Sequence, residues 1–208
     1  MRAGLATALF AAALPAFAGA QKEEQLSQSV VSGLAKAIAD APVPANYASR
    51  PDVARWISEM SRRIAHKVDT DRERTALLAT THYESLRAGL DPQIVLAVMY
   101  HESGFKKYAF SSAQARGYMQ VMPFWVKQIG TSDQNLFNLR TNLRYGTVIL
   151  RHYLDLENGD YYRALGRYNG SLGQAEYPTA VFGALNRHFA YTPSAPAAII
   201  SVAVPAPR

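Results

Sequence analysis

Helix-start signals recur along this chain, each followed by apolar residues three and four positions apart. No stretch alternates apolar and polar residues as a half-buried strand would, and no internal repeat is present. Thr70-Asp71-Arg72-Glu73 matches a capping box, in which hydroxyl and carboxylate satisfy free backbone donors. Asp91, Asn138 and Asp160 are capping residues, and Pro51, Pro92 and Pro123 suit the first helical turn, where a missing N–H costs nothing. Gly89, Gly130, Gly159 and the Asn169-Gly170 pair supply stops. The spacing predicts helices over about 24–40, 51–68, 71–88, 92–103, 123–129, 139–157, 160–168 and 177–189. In the helix of 139–157, Gly146 permits a close crossing. The fold class that follows is all-α, with short connections and mixed crossing angles.

The first residues, MRAGLATALFAAALPAFAGAQ, carry one early Arg, an apolar run and Ala18-Gly19-Ala20 before Gln21. That pattern predicts a signal peptide over 1–20, and the run is too short, too Ala-rich and too interrupted by Pro15 for a membrane anchor. Nothing later is long and apolar enough to span a bilayer, so no integral membrane segment is expected after cleavage. Residues 21–75 read as a helical extension and linker, 76–191 as the catalytic domain, and the Pro/Ala-rich stretch 192–208 as a flexible tail in which Ile199–Val204 could add a short extended segment. The absence of Cys rules out disulfides, a lipid-modified Cys, thiolate metals and a thiol nucleophile. The formal charge of +6 is scattered rather than clustered, which argues against a nucleic-acid binder and leaves weak attraction to anionic polymers.

The chemistry concentrates in Val95–Gln120. Helical spacing puts Val95, Val98, Met99 and Glu102 on one side of the 92–103 helix, so Glu102 continues an apolar face near its end. A carboxyl on such a face loses hydration of its charged form and keeps its proton toward neutral pH, which suits a general acid at a glycosidic oxygen. Taken alone, Glu102 could equally pair with Lys106 or face solvent at a frayed end.

What surrounds it resembles the soluble lytic transglycosylase (SLT) domain, a lysozyme-like fold related to goose-type lysozyme. The segments that carry the resemblance stand in the family's order over residues 90–189. They are His101-Glu102-Ser103-Gly104-Phe105; Ser111 with Ala115-Arg116-Gly117-Tyr118-Met119-Gln120-Val121-Met122-Pro123; Leu136-Phe137-Asn138 with Asn142 and Tyr145-Gly146; and Arg163-Ala164-Leu165-Gly166-Arg167-Tyr168-Asn169-Gly170. The resemblance implies that Glu102 is the catalytic acid and then base, and that Ser111, Gln120, Met122, Tyr168 and Asn169 bind substrate. Tyr168 would sit close to Glu102 and steady developing charge. On their own residues, Tyr168 and Asn169 fit equally a buried aromatic followed by a helix-ending Asn, and Ser111 fits a turn cap. Departures from the family pattern are Tyr118 for Leu, Gln114 for Gly, Leu139 for Pro and Arg167 for Ala. Arg167 is expected to alter contacts with sugar.

The resemblance further implies an exported peptidoglycan lytic transglycosylase, periplasmic in a bacterium. It would cleave the β-1,4 bond between N-acetylmuramic acid and N-acetylglucosamine and leave 1,6-anhydromuramic ends. Ordinary glycosidases use two carboxyls, and the matched segments contain only Glu102. One suffices if the substrate supplies the nucleophile. No cofactor is expected, and no metal either: the His residues form no ligand set, and position 105 is Phe where a zinc-protease motif needs His. Peptidoglycan strands are the expected partner of a monomer, with a wall-associated or secretion-system protein as a further one. The rival readings are a lysozyme-type hydrolase on the same fold and a wall-binding or secretion-assembly protein that no longer cuts.

Overall fold

The computed structural model describes residues 21–39 and 42–192. The leader over 1–20, the tail from 193 on and the Ile199–Val204 segment lie outside the described residues. Among the described residues there is no strand, only isolated backbone bridges in one loop. The helices are α1 (Gln28–Ile38), α2 (Pro51–Ile64), α3 (Asp71–Arg87), α4 (Pro92–Glu102), α5 (Pro123–Ile129), α6 (Leu139–Leu156), α7 (Tyr161–Asn169) and α8 (Glu176–Ala184), with one 3-10 turn at Tyr47–Ser49. The all-α architecture is as the sequence predicts.

The caps explain the boundaries. Thr70 Oγ1 accepts from Glu73 N and donates to the Glu73 carboxylate, closing the capping box of α3. Asp91 accepts from Gln93 N, Asn138 from Arg140 N and Thr141 N, and Asp160 from Tyr162 N and Arg163 N. Each bond satisfies a donor that the helix itself leaves open. Three helices differ from expectation. The one expected over about 24–40 begins only at Gln28, where Ser27 Oγ accepts from Val30 N, and ends at Ile38. The 51–68 helix stops at Ile64, after which the chain turns through Lys67 N→Ile64 O and Val68 N→Ile64 O bonds. The 177–189 helix is regular only to Ala184 and widens over Leu185–Phe189, where Ala190 N reaches back to Leu185 O. That widening buries Phe189 against Tyr100 and Phe105.

Helix α4 forms the centre. Ile94, Val95, Leu96, Ala97, Val98 and Met99 are all buried, so this helix is apolar all round rather than on one face. It packs against α3, α8 and the Leu185–Phe189 turn, while α6 packs against α3 and α7. Val53, Trp56, Met60 and Ile64 of α2 and Leu34 and Ile38 of α1 are buried in the same apolar cluster. Gly146 lets α6 approach the loop before α5: a Cβ there would stand 2.4 Å from Met119 Sδ.

Candidate active site

The central helix ends where the chemistry is expected. Glu102 is the last residue of α4, and the chain leaves it through Gly104 (φ 56°) and Phe105 (φ 66°), two left-handed residues in succession. Phe105 has a Cβ and pays for that conformation, an outlay on the order of 1–2 kcal/mol. Burial of its ring against Tyr100 and Phe189 offsets this. Ser103 Oγ donates to Tyr118 O at 2.7 Å and ties the helix end to the loop that follows. Glu102 is thus fixed from both sides, with 7 % of its surface exposed.

The loop from Tyr108 to Val121 is organised by Asn142 of α6. Its Oδ1 accepts from Met119 N at 2.8 Å, and its Nδ2 donates to Arg116 O and Leu136 O, both at 2.8 Å. Gly117 (φ 74°) is required there, because a Cβ would come within 2.6 Å of both Asn142 Nδ2 and Leu136 O. Gln120 (φ 48°) turns its side chain inward, so Nε2 donates to Ala109 O at 3.1 Å and Gly117 O at 3.0 Å. Ser111 Oγ accepts from Ala115 N at 3.0 Å, closing a tight turn.

A cavity of about 640 Å³ opens where this loop faces α4. Glu102, Ser103, Ser111 and Gln120 line it, together with His66, Lys67, His101, Lys106 and Phe110. Glu102 is the one carboxylate in that lining among the described residues. Of the later acids, Asp155 pairs with Arg151, Glu157 with Arg163 and Arg167, and Asp160 caps α7, while Asp133 and Glu176 are exposed and stand outside this lining. His101, in the same lining, has its Nε2 2.9 Å from Ala180 O. Burial pushes its pKa down, so the ring is neutral and donates that proton.

Glu102 has a polar contact that the sequence did not reveal. The hydroxyl of Tyr177, at the start of α8, donates to Glu102 Oε1 at 2.5 Å. Tyr177 is fully buried, and its pKa is pushed well up, first by burial and then by the Glu102 charge. The phenol therefore stays protonated and remains a donor. A buried Tyr in an apolar helix face signals that its hydroxyl needs a partner; no motif says which. Tyr168 lies within electrostatic reach of Glu102, whose charge adds to burial in raising its pKa. Its hydroxyl, however, donates to Met119 O at 2.8 Å. Met122 caps α5 and is half-buried, and Asn169 ends α7 with its Nδ2 buried and without a hydrogen-bond partner among the described residues. Glu102, Ser111 and Gln120 share one cavity lining; Met122, Tyr168 and Asn169 stand outside it. No group of His, Asp and Glu among the described residues could hold a metal ion.

The model of the transglycosylase SLT domain family matches residues 80–184. A protein named transglycosylase from Enterobacteria phage PRD1 is 34% identical over 93 residues, covering 45% of this chain and 34% of its own. The membrane-bound lytic murein transglycosylase C of Photorhabdus laumondii subsp. laumondii is 30% identical over 119 residues, 50% of this chain and 33% of its own. Its namesake from Histophilus somni is 37% identical over 82 residues, 33% of this chain and 23% of its own. The chain thus spans about a third of the length of the first two relatives. Among solved structures, none matches the chain.

Proposed function

The chain belongs to the transglycosylase SLT domain family, and from that premise we propose that it is a peptidoglycan lytic transglycosylase that works with Glu102 alone. The observation that carries the reading is the cavity beside α4, whose lining holds one carboxylate among the described residues. Protonated Glu102 donates to the oxygen between N-acetylmuramic acid and N-acetylglucosamine. As it does so it gains negative charge, and the Tyr177 hydroxyl on Oε1 is placed to stabilise that charge. The substrate's acetamido oxygen covers C1 while the bond breaks. Glu102, now ionised, takes the proton of the muramic O6 hydroxyl, which closes on C1 and leaves a 1,6-anhydro end. The attacking hydroxyl belongs to the sugar already bound, so it competes well with water. The usual glycoside hydrolase has a second carboxylate, as base for water or as nucleophile, and among the described residues the cavity lining supplies none.

Ser111 and Gln120 shape the wall of the loop, Met122 and Asn169 border the sugar, and Tyr168 holds the loop carbonyl of Met119 beside the acid. Residues 76–191 form the catalytic unit, 21–75 the extension and 192–208 the tail. Export to the periplasm through removal of residues 1–20 fits a wall substrate. No described helix is long and apolar enough to cross a membrane. The protein acts as a monomer on glycan strands, with or without a wall-associated partner.

The test is a digest of purified peptidoglycan followed by borohydride treatment. Anhydro ends have no free anomeric hydroxyl, so the released muropeptides should resist reduction. Products that take up hydrogen at muramic acid would refute the reading.

A further inference from the structure

Ahead of α1 the chain runs from Gln21 to Ser27 with no regular structure. Lys22, Glu23, Glu24 and Gln25 are exposed, yet Gln21 is only 3 % exposed. Its carboxamide sits on the loop backbone beside the candidate site: Nε2 donates to Gln120 O at 3.3 Å, and Oε1 accepts from Met122 N at 3.3 Å. It also reaches the Tyr168 hydroxyl. Gln120 is shared, since its side of the loop lines the cavity that holds Glu102. Further along, Glu24 accepts from Gln128 Nε2 through its carbonyl at 3.1 Å and from Arg167 Nη1 through its carboxylate at 3.4 Å. Arg167 is the residue that departs from the family pattern just before Tyr168.

We propose that residues 21–27 form an autoinhibitory strap, in which the Gln21 carboxamide occupies the carbonyl of Gln120, a residue of the cavity lining, and the adjacent Met122 N–H just outside that lining, two backbone groups that the acetamido group of a sugar bound beside Glu102 would otherwise take. A 2-acetamido group carries the same polar atoms, a C=O and an N–H, and one or the other can take each backbone partner that Gln21 vacates. The ties suit a strap that comes off. Both Gln21 bonds are long. The Glu24–Arg167 pair is at the surface, with 46% of the Glu24 side chain accessible, and such pairs hold weakly. Two consequences follow. Glycan enters only molecules whose strap is released, and bound glycan keeps it released. A strap seated in about nine molecules of ten weakens apparent binding about tenfold. The inference rests on the proposed function in taking the cleft beside Glu102 as the glycan site.

The experiment uses the full chain with a tetramer of β-1,4-linked N-acetylglucosamine as probe. Calorimetry compares the unaltered chain with Gln21→Ala, which removes the carboxamide, and Glu24→Arg, which sets like charge against Arg167. Both variants should bind the tetramer about tenfold more tightly. In the unaltered chain, saturating tetramer should speed amide hydrogen exchange over residues 22–27. Unchanged or weaker binding in both variants, or exchange over 22–27 that ignores the tetramer, would overturn the strap. Absence of tetramer binding in every form would overturn the strap together with the glycan site. Release of the strap by tetramer, with no cleavage of peptidoglycan by any form, would keep the strap and remove the lytic activity instead.

Discussion

Replacing Tyr177 with Phe removes one oxygen from the site and leaves the packing of α8 intact. The lost oxygen is the donor 2.5 Å from Glu102 Oε1, in a contact buried on both sides. A hydrogen bond to a charged group contributes about 1.5–3 kcal/mol. Its effect on rate depends on when it is strongest. Glu102 is neutral before it gives up its proton and anionic afterwards, so the bond strengthens as the glycosidic bond breaks and most of its value falls on the transition state. At about 1.4 kcal/mol per factor of ten, Tyr177→Phe should lower kcat by roughly ten- to hundredfold. KM should hardly change, because the phenol is buried behind the carboxylate and does not meet sugar. The ring remains, so Tm should fall by only a few degrees, about what a net loss near 1 kcal/mol gives. Turbidity loss of purified peptidoglycan at saturating substrate, with Tm from circular dichroism, separates these effects. Full kcat in a folded Tyr177→Phe protein would show that the phenol fills space and has no part in the chemistry.

Other perturbations have equally definite outcomes. Glu102→Gln keeps the size of the side chain and removes the transferable proton, so lysis should be abolished with Tm within a few degrees of the original; retained lysis would remove Glu102 as the acid. Asn142→Ala deletes three hydrogen bonds that hold the loop after α4, and should cost about 3 kcal/mol at roughly 1 kcal/mol per bond, read from urea unfolding. A loss under about 0.5 kcal/mol would mean that the loop is held by other contacts. Burial pushes the pKa of His82, His101 and His152 below the usual value. Above about pH 6.5 each is neutral folded and unfolded alike; below it the unfolded chain takes up protons that the fold refuses. Stability should therefore fall as pH drops from about 7 toward 5, and a Tm flat across that window would contradict the assignment of neutral rings.

What the sequence reveals here is what is local. Asp91, Asn138 and Asp160 cap their helices through bonds to residues two or three positions on, so a short window contains donor and acceptor together. The place of Glu102 at the end of α4 is legible for the same reason, since the helix pattern before it and the Ser-Gly after it are adjacent in the chain. Tyr177 is not legible as its partner, because 75 residues separate them and only the packing of α8 on α4 joins them. Tyr168 shows the complementary case. The motif marks it, but the Met119 carbonyl that receives its hydroxyl is selected by the fold of the loop, which rests on Asn142 from a third element. The docking of α1 against α5 and α6, and with it the seat of Gln21, depends on apolar burial between distant segments that no local pattern encodes.

In the proposed reaction the sugar's own O6 hydroxyl, not water, closes on C1. A digest of purified peptidoglycan in water enriched in heavy oxygen, analysed by mass spectrometry, tests it directly. Intramolecular attack predicts muropeptides about one water lighter than hydrolytic products and free of the label. Muropeptides with reducing muramic ends that carry the heavy oxygen would refute intramolecular attack, because a water would then have been activated in a site whose lining, among the described residues, holds the single carboxylate Glu102.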